Sequence, residues 1–427
     1  MKKVLIVTYY WPPAGGPGVQ RWLKFVKYLP GYGIEPIVYV PKNPHYPLKD
    51  DSLLAEIPSE IKVLKNDIFE PYAFAEIFSR KDTKSISSGI IPKEQKQGAL
   101  QKLMLYIRGN FFIPDARKFW IKPSVKYIST YLQEHKIDIL ITTGPPHSMH
   151  LIGLQLKQKL DINWIADFRD PWTQIGYHNK LKLTKASQEK HEQLEKEVLQ
   201  NADLILTTSF TTQKEFQEKT ERPVEVITNG YDVEQVEKLP MDEKFSLAHI
   251  GSLLSGRNPG NLWRAISELV SENADFAQDF KLKLIGAVGE QVLESIEKYG
   301  LKEWLVLQDY VSHAEALQLQ RSAQLLLLIE INSEETKGII PGKLFEYMVS
   351  DRPILAVGPP AADMERILRE TNTGSFFRYS QKEEIKIFLL EKYDLFKKGE
   401  LKSFPIGLQQ YSRKALTGKL AQQIQKF

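Results

Sequence analysis

The chain alternates between short apolar runs and longer stretches in which apolar residues recur at helical spacing. Short uninterrupted runs are typical of buried parallel strands, and the stretches between them are typical of amphipathic helices. The predicted strands are residues 3–9, 36–40, 137–143, 164–168, 202–209 and 224–228, then 281–286, 305–310, 325–331 and 354–357. A further strand, turn and helix begin at Phe245. This alternation predicts parallel, doubly wound α/β sheets.

The length of the chain points to more than one domain. At 427 residues it exceeds what a single hydrophobic core usually holds, so two domains are expected. The turn Asn229-Gly230-Tyr231-Asp232, directly after a predicted strand, is the candidate hinge.

The composition is that of a soluble globular protein, with 42% apolar and 26% charged residues. No apolar run approaches the roughly 20 residues of a membrane-spanning helix. The apolar run after Met1-Lys2-Lys3 is short and lacks a small-residue cleavage site, so we interpret it as the first strand and not as a signal peptide. The absence of cysteine excludes disulfides and thiolate metal sites and fits a cytoplasmic chain. With no spaced His/Asp/Glu cluster either, we expect no metal and no cofactor.

Positive charge is concentrated in one segment. Residues 80–126 contain eleven Lys and Arg against three Asp and Glu, a net charge of +8, whereas the whole chain carries +4. A patch this local favours one anionic surface and not general nucleic-acid affinity. Within it, Leu100, Leu103, Met104, Ile107 and Phe111 form an apolar stripe at helical spacing. Such a helix either lies on an anionic membrane surface or, as is more common, packs on its own domain.

The segment 338–358, GIIPGKLFEYMVSDRPILAVG, has the order loop, helix, strand and carries the main candidate site. Pro341 suits the start of a helix, and Lys343 in its first turn would favour an anion such as a diphosphate. Glu346 lies on the same face three residues later, where a carboxylate can accept hydrogen bonds from ribose hydroxyls. An exposed ion pair between Lys343 and Glu346 is the alternative interpretation.

A glycine-rich loop, Ala14-Gly15-Gly16-Pro17-Gly18, follows the first predicted strand and leads into a helix. Glycines at such a turn let the backbone approach a ligand closely, although an ordinary strand-to-helix turn has the same composition. A dinucleotide-binding motif is excluded, because Arg21 stands where the third glycine would be and no acidic residue ends the strand 36–40.

Two further loops end predicted strands with polar residues. GPPHSMH contains His147 and His150, and FRDPW contains Arg169 and Asp170. Ligands of parallel α/β sheets gather at the carboxyl ends of the strands, where these loops fall. The histidines are either acceptor-side groups or structural residues near a helix start.

Several of these segments resemble family-4 glycosyltransferases, which have the GT-B fold. They are the GGPG loop, ITTGPPHSMHLIG, WIADFRDPW, ITNGYD and GIIPGKLFEYMVSDRPILAVG, so the resemblance runs nearly end to end. It implies two Rossmann-like doubly wound domains facing across a cleft, with residues 1–235 binding the acceptor and 240–405 binding a nucleotide-sugar donor. A last helix, 411–427, would cross back to the first domain. Transfer would retain the anomeric configuration without a bound divalent ion.

The resemblance also assigns residues. Glu346 would hold the ribose, Lys343 and Arg257 the diphosphate, and the loop at Tyr310-Val311 would lie near the nucleobase. The full donor-binding set is Gly15, Gly16, Gly18, Arg257, Tyr310, Val311, Gly338, Ile339, Ile340, Lys343, Leu344 and Glu346. The candidate catalytic residues are Lys343, Arg257, Asp170 and His147.

The chain departs from the family pattern at three positions. Gly338 replaces the first of two glutamates that contact the donor, and the candidates to supply that contact instead are Glu330, Glu334 and Glu335. Ser252 replaces the first of two basic residues, and Arg169-Asp170 replaces a histidine–aspartate pair.

The expected function is transfer of a sugar to a glycan or lipid-linked acceptor in cell-surface polysaccharide synthesis, in the cytoplasm or at the inner face of the membrane. A nucleotide-sugar 2-epimerase of the same fold and a non-catalytic sugar-nucleotide binding protein are the alternatives.

Overall fold

The apolar runs form two parallel sheets, one in each of two structural units. The computed structural model describes residues 1–70, 99–174, 181–232, 239–254 and 256–427. The N-terminal unit comprises Met1–Thr228 and Arg413–Phe427, and the C-terminal unit comprises Asn229–Ser412. In both units helices separate consecutive strands, so the predicted α/β fold with two Rossmann-like domains is confirmed.

The N-terminal unit contains a seven-stranded parallel sheet in the order β3-β2-β1-β4-β5-β6-β7. The strands are β1 Lys2–Val7, β2 Ile34–Pro41, β3 Lys62–Asn66, β4 Ile139–Gly144, β5 Asn163–Phe168, β6 Leu204–Thr207 and β7 Val224–Val226. The helices are α1 Pro17–Tyr28, α2 Ala99–Phe111, α3 Ile121–Glu134, α4 Ser148–Leu160, α5 Lys185–Asn201 and α6 Phe210–Gln217.

The C-terminal unit contains a six-stranded parallel sheet in the order β10-β9-β8-β11-β12-β13. The strands are β8 Phe245–Ile250, β9 Phe280–Ile285, β10 Leu305–Gln308, β11 Leu325–Ile329, β12 Ile354–Gly358 and β13 Gly374–Arg378. The helices are α7 Gly260–Glu272, α8 Ala274–Asp279, α9 Glu290–Lys298, α10 His313–Ser322, α11 Gly342–Met348, α12 Asp363–Thr371 and α13 Lys382–Lys397.

The last helix, α14 Arg413–Gln425, belongs to the N-terminal unit and packs beside α1. Its residue Arg413 donates to Gln20 Oε1 at 2.9 Å, and Tyr32 Oη donates to Lys414 O at 2.9 Å. Lys2 Nζ donates to Gln425 O at 3.2 Å. Residues between Lys2 and Tyr32 therefore hold both ends of α14.

Each sheet reverses its winding direction beside its first strand, between β1 and β4 and between β8 and β11. The carboxyl ends of strands at such a reversal leave a crevice where ligands of doubly wound sheets bind. The loops after β1, β4 and β5 and those after β8 and β11 are therefore the places to look for function.

Helix α11 is shorter than the sequence pattern predicts. Pro341 is its N-cap and not part of its first turn, and the helix ends at Met348 instead of continuing to Asp351. Ser350 Oγ accepts the N–H of Arg352 at 3.3 Å, and Asp351 adopts a positive φ of 62°. A tight turn therefore replaces the expected last turn of the helix.

Three residues of the predicted apolar stripe of α2 face solvent and not the domain: Leu103, Ile107 and Phe111 are exposed, whereas Met104 is half-buried. The side of α2 that faces the domain contains Leu105, which is fully buried. Gly109 lies on the same side, in close contact with Leu181 and Leu183. The exposed fractions are 53% for Leu103, 39% for Tyr106, 39% for Ile107 and 63% for Phe111, and we call these four residues the α2 stripe. The interpretation that the stripe packs on its own domain is wrong for them. Residues 80–98 of the basic segment lie outside the described part of the chain.

A buried ion pair between Arg21 and Asp167 joins α1 to the middle of the N-terminal sheet. The Arg21 guanidinium donates to Asp167 Oδ1 at 2.8 Å, and both side chains are at most 1% exposed. Trp22 Nε1 donates to Asp167 Oδ2 at 2.7 Å and Thr143 Oγ1 donates to the same oxygen at 2.8 Å. Burial opposes the charge of Asp167, but Arg21 and these hydrogen bonds outweigh it, so its pKa is lowered.

The same arginine also reaches the end of the sheet. Arg21 Nη1 donates to Ile227 O at 2.7 Å and to Thr228 O at 3.0 Å. It therefore satisfies two buried carbonyl groups directly after β7, the last strand of this unit. Removing one partner of such a pair leaves an uncompensated buried charge.

We expect Asp167→Asn to destabilise the N-terminal unit by about 3–5 kcal/mol, because Arg21 would remain buried and unpaired. The control is Glu35→Gln in the exposed Lys3–Glu35 pair, where both side chains are about half exposed and the expected loss is about 0–1 kcal/mol. Urea unfolding followed by tryptophan fluorescence measures both. Equal losses in the two variants would contradict the role given to the buried pair.

Candidate functional site

Three ionisable side chains meet at the carboxyl ends of β8 and β11 in the C-terminal unit. Arg257 lies in the loop between β8 and α7, Glu330 directly follows β11, and Lys343 is the second residue of α11. Arg257 Nη2 donates to both oxygens of Glu330, at 3.0 and 3.3 Å. Glu330 is fully buried and also accepts the N–H of Ile331 at 2.7 Å. Burial raises the pKa of Glu330, although Arg257 favours its charged form. The two hydrogen bonds from Arg257 to this carboxyl hold the arginine in place.

Lys343 is held by a buried histidine and not by an acid. Its Nζ lies 3.3 Å from His249 Nε2, and His249 Nδ1 lies 2.9 Å from Leu327 O. A carbonyl oxygen only accepts, and Nδ1 lies 2.9 Å from Leu327 O whereas Nε2 lies 3.5 Å from Ser252 O. The shorter contact assigns the proton to Nδ1, so that Nε2 accepts from the lysine. Burial, Lys343 and Arg257 lower the pKa of His249 well below its ordinary value, so the ring is neutral. Burial and Arg257 lower the pKa of Lys343 to about 8.

Two glycines make room for this lysine. Gly251 has a φ of 114°, and a Cβ there would lie 2.7 Å from Lys343 Nζ. Gly286 has a φ of 111°, and a Cβ there would lie 3.0 Å from the carbonyl carbon and oxygen of Gly251. Only glycine combines this backbone conformation with so close an approach.

Helix α11 is anchored by the residues that surround Lys343 in sequence. Tyr347 Oη accepts the N–H of Ile250 at 2.9 Å and donates to Ile250 O at 3.3 Å. Burial raises the pKa of Tyr347, so it stays a neutral phenol. Leu344 is fully buried, and its side chain therefore packs in the interior and does not reach a ligand.

Glu346 lies one turn after Lys343 and contacts α10. Its carboxylate accepts from His313 Nε2 at 3.1 Å and from Gln320 Nε2 at 3.1 Å. The side chain is 27% exposed, so both solvent and a ligand can reach it. The alternative of an ion pair between Glu346 and Lys343 does not occur at hydrogen-bond distance; the lysine contacts His249 instead.

The other predicted donor residues of this unit lie in the surrounding loops. Tyr310 is 87% exposed and Val311 is half-buried, and their loop leads directly into α10 at His313. Residues 338–340 precede α11, with Ile339 exposed and Gly338 and Ile340 half-buried. Of the acids considered as substitutes for a glutamate at 338, Glu330 is committed to Arg257, and Glu334 and Glu335 are exposed.

The glycine-rich loop of the N-terminal unit lies between β1 and α1. Gly15 donates to Leu48 O at 3.0 Å, and Gly16 is the N-cap of α1 with a φ of 100°. A Cβ at Gly18 would collide with the guanidinium of Arg169, which donates to Pro145 O. Arg169, which replaces the family's histidine, thus lies against the first turn of α1.

The remaining candidate residues follow β4 and β5. His150 is fully buried, lies 2.9 Å from Thr142 Oγ1, and has its pKa lowered by burial to about 3, so it is a neutral structural residue. His147 is buried and stacks in parallel on Trp172 with ring centroids 4.8 Å apart. Asp170 is half-buried, and burial raises its pKa although Arg169 opposes the rise. These residues form a second cluster of polar side chains. The cluster belongs to the N-terminal unit, whereas the Lys343 site belongs to the C-terminal unit.

Sequence reasoning missed His249, Gln320 and the function of Glu330. The signals were small: His249 is a polar residue near the end of an apolar strand, and Glu330 directly follows five apolar residues. Among the residues that the structure describes, no group of three or more His, Asp and Glu side chains is arranged to hold a metal ion. No helix of the described part of the chain is both long and apolar enough to cross a membrane.

Two Rossmann-like units, one of which carries a cationic site beside the Glu346 carboxylate, are typical of the GT-B fold. Residues 91–235 match the model of the family described as Glycosyltransferase Family 4. The resemblance to family-4 glycosyltransferases is therefore confirmed over these residues. A search of curated proteins by sequence finds no match.

Solved structures show the same fold over the whole chain. HepE of Anabaena, solved in complex with UDP-glucose, is 14% identical with a TM-score of 0.60, covering 100% of both chains. A glycosyltransferase from Rickettsia africae is 12% identical with a TM-score of 0.61, covering 100% of this chain and 99% of its own. The lipopolysaccharide outer core galactosyltransferase WaaB is 13% identical with a TM-score of 0.59 and the same coverage. At such identities the likeness establishes the fold.

We expect the affinity of the C-terminal unit for a diphosphate to fall as the pH rises through about 8. The pKa of Lys343 is lowered to about 8, so the charged form that attracts an anion is complete below that pH and is lost above it. Titration calorimetry with inorganic pyrophosphate between about pH 7 and 9.5 measures the change. Lys343→Arg stays charged throughout and should abolish the loss. Pyrophosphate itself loses a proton in this range, so the affinity of the unmodified protein is compared with that of Lys343→Arg at each pH. A ratio of the two affinities that stays constant would show that Lys343 does not bind the anion.

Proposed function

We propose that the protein is a retaining glycosyltransferase that moves a sugar from a nucleotide-sugar donor to a glycan or lipid-linked acceptor. The observation that carries this proposal is the group of Arg257, Lys343 and Glu346 around the carboxyl ends of β8 and β11. Two cations and an accessible carboxylate match the chemistry of a nucleoside diphosphate: the cations suit the phosphates and the carboxylate suits ribose hydroxyls. The complex of HepE with UDP-glucose supports a nucleoside diphosphate sugar as donor.

The chemical task of such a site is to stabilise the leaving diphosphate. Negative charge grows on the phosphate oxygens as the glycosidic bond to the donor breaks, and preorganised cations stabilise that charge most effectively. Arg257 is fixed by Glu330, and Lys343 is fixed by a neutral histidine, so neither needs to reorganise during the reaction. Two such cations can take the part that a divalent ion plays elsewhere, and we propose that the reaction needs no metal.

The acceptor is proposed to bind to the N-terminal unit, near the loops after β1, β4 and β5. Asp170, His147, Arg169 and Gly18 lie there, and burial raises the pKa of Asp170, whose carboxyl is the proposed partner for an acceptor hydroxyl. The likeness to WaaB, a lipopolysaccharide galactosyltransferase, supports a cell-surface glycan as the acceptor class. We propose that the reaction takes place in the cytoplasm, at the inner face of the membrane.

The function is tested by incubating the protein with UDP-, GDP- and dTDP-hexoses and a lipid-linked glycan extract. We expect release of a nucleoside diphosphate and a product with the anomeric configuration of the donor, measured by NMR, with activity that persists in EDTA. Glu346→Gln should lower kcat/KM for the donor by roughly 10- to 100-fold, the loss expected for a hydrogen bond to a charged group. Glu370→Gln, in an exposed pair with Arg366, is the matched control and should have no effect.

Other outcomes would replace parts of this proposal. A C2-epimerised sugar released without acceptor would identify an epimerase, and tight donor binding without turnover would identify a binding protein. Activity lost in EDTA and restored by magnesium would refute metal independence. A large fall in melting temperature of Glu346→Gln with unchanged donor kinetics would assign that residue to stability.

The α2 stripe supports association with an anionic membrane surface. Its four apolar side chains lie on one side of α2, and the exposed rings of Phe69 and Phe119 contact each other nearby with centroids 5.8 Å apart. Lys118 Nζ lies 5.3 Å from the centre of the Phe119 ring, so cationic and aromatic groups alternate on this surface. Apolar insertion combined with attraction of about 1 kcal/mol per nearby Lys or Arg is how such helices bind anionic lipid.

We expect the protein to sediment with vesicles containing phosphatidylglycerol, more strongly at higher anionic fraction and less strongly in salt. The triple variant Leu103→Ser/Ile107→Ser/Phe111→Ser should remain folded, because these side chains are exposed, and should lose most of the binding. Ile387→Ser removes an apolar side chain that is 57% exposed on the C-terminal unit and serves as the control. Equal recovery in the supernatant with neutral and anionic vesicles at low salt would exclude the membrane surface as a partner.

A further inference from the structure

We propose that His249 is the positioning residue that directs Lys343 toward the donor diphosphate while leaving the charge of the lysine intact. The inference rests on the proposed function, because it takes the diphosphate as the ligand of Lys343. It assigns a task to a buried histidine that neither the sequence pattern nor the family resemblance singles out.

The orientation of the His249 ring is fixed by the neighbouring strand. His249 is 1% exposed, and its Nδ1–H donates to Leu327 O in the neighbouring strand β11 at 2.9 Å. That hydrogen bond leaves Nε2 as an acceptor, which faces Lys343 Nζ at 3.3 Å and lies farther, at 3.5 Å, from Ser252 O. The ring is therefore a rigid link between the middle of the sheet and the amine of α11.

The negative charge around Lys343 is engaged by other residues. The two carboxylates whose charge favours the ammonium of Lys343 are Glu330 and Glu346. Glu330 is engaged by Arg257, and Glu346 is engaged by His313 and Gln320. Neither carboxylate forms the direct contact to Lys343 Nζ; a neutral imidazole does.

A neutral acceptor holds the lysine without cancelling its charge. A carboxylate at the position of His249 Nε2 would hold the lysine equally well, but it would also neutralise the positive charge that attracts a diphosphate. A neutral ring nitrogen supplies one hydrogen bond and leaves the other two N–H groups and the whole charge available. The lysine passes so close to Gly251 that a Cβ there would lie 2.7 Å from Nζ, so its side chain has few alternative paths.

A pair of variants separates the two ring nitrogens. His249→Asn can keep the hydrogen bond to Leu327 O but has no acceptor within reach of Lys343. His249→Gln can place its amide oxygen near the position of Nε2 but gives up the donor to Leu327 O. We expect His249→Asn to bind nucleoside diphosphates about tenfold more weakly, with unchanged affinity for the monophosphates and a melting temperature near that of the wild type.

His249→Gln should show the opposite behaviour, with a lower melting temperature and diphosphate affinity close to that of the wild type. Titration calorimetry with UDP, GDP, dTDP and inorganic pyrophosphate, and with UMP, GMP and dTMP, measures the selectivity, and calorimetric unfolding measures the stability.

Each result has a definite meaning. If His249→Asn binds diphosphates as tightly as the wild type, or if affinity falls in both variants in step with stability, the positioning role is refuted while the proposed function stands. If the wild type binds none of the diphosphates, the proposed function fails and the role of His249 fails with it.

Discussion

A buried carboxylate paired with an arginine fixes the functional end of each sheet. In the N-terminal unit Asp167 of β5 holds Arg21 of α1, and in the C-terminal unit Glu330 after β11 holds Arg257 from the loop before α7. In both cases the arginine lies between the first and second strands of its sheet, and the acid lies in or directly after a strand beyond the point of reversal. Such pairs contribute little net stability, because desolvation offsets the attraction, but they strongly penalise any arrangement in which one partner is alone. The crevice beside the first strand therefore has one permitted geometry in each unit.

Most of the fold followed from the chain because parallel strands buried on both faces are continuous apolar runs, and these are visible in a single sequence. The residues at which helices and strands end were harder to predict. Helix α11 stops at Met348 since a turn around Ser350 and Asp351 competes with its last turn, and apolar spacing does not register that competition. On α2 the helical spacing of apolar residues was predicted correctly, but the side of the helix that packs on the domain was not. Periodicity shows that an apolar stripe exists without showing whether that stripe faces the domain. Here the inner side of α2 is formed by Leu105 and Gly109.

The candidate site was predictable where one short segment carries its chemistry. Lys343 and Glu346 lie within four positions of each other, and Arg257 was found through the family resemblance. The partners that give these residues their properties lie far away in sequence: His249 and Lys343 are 94 positions apart, and Arg257 and Glu330 are 73 apart. From the sequence alone, a histidine near the end of an apolar strand is interpreted as a packing residue. Its contact with Lys343 exists only in the folded chain. Contacts of this kind depend on how strands are ordered in the sheet, which local patterns do not encode.

The lowered pKa of Lys343 also changes its covalent chemistry. With its pKa lowered to about 8, Lys343 carries a neutral amine in a much larger fraction of molecules at pH 7 than an ordinary lysine does. Only the neutral amine is a nucleophile, so acylating and aldehyde reagents small enough to enter the crevice encounter one lysine that is far more reactive than the exposed ones. Because the chain contains no cysteine, no thiol competes for such reagents. The arrangement that prepares the lysine for an anion thus also makes it a selective attachment point for covalent probes and inhibitors.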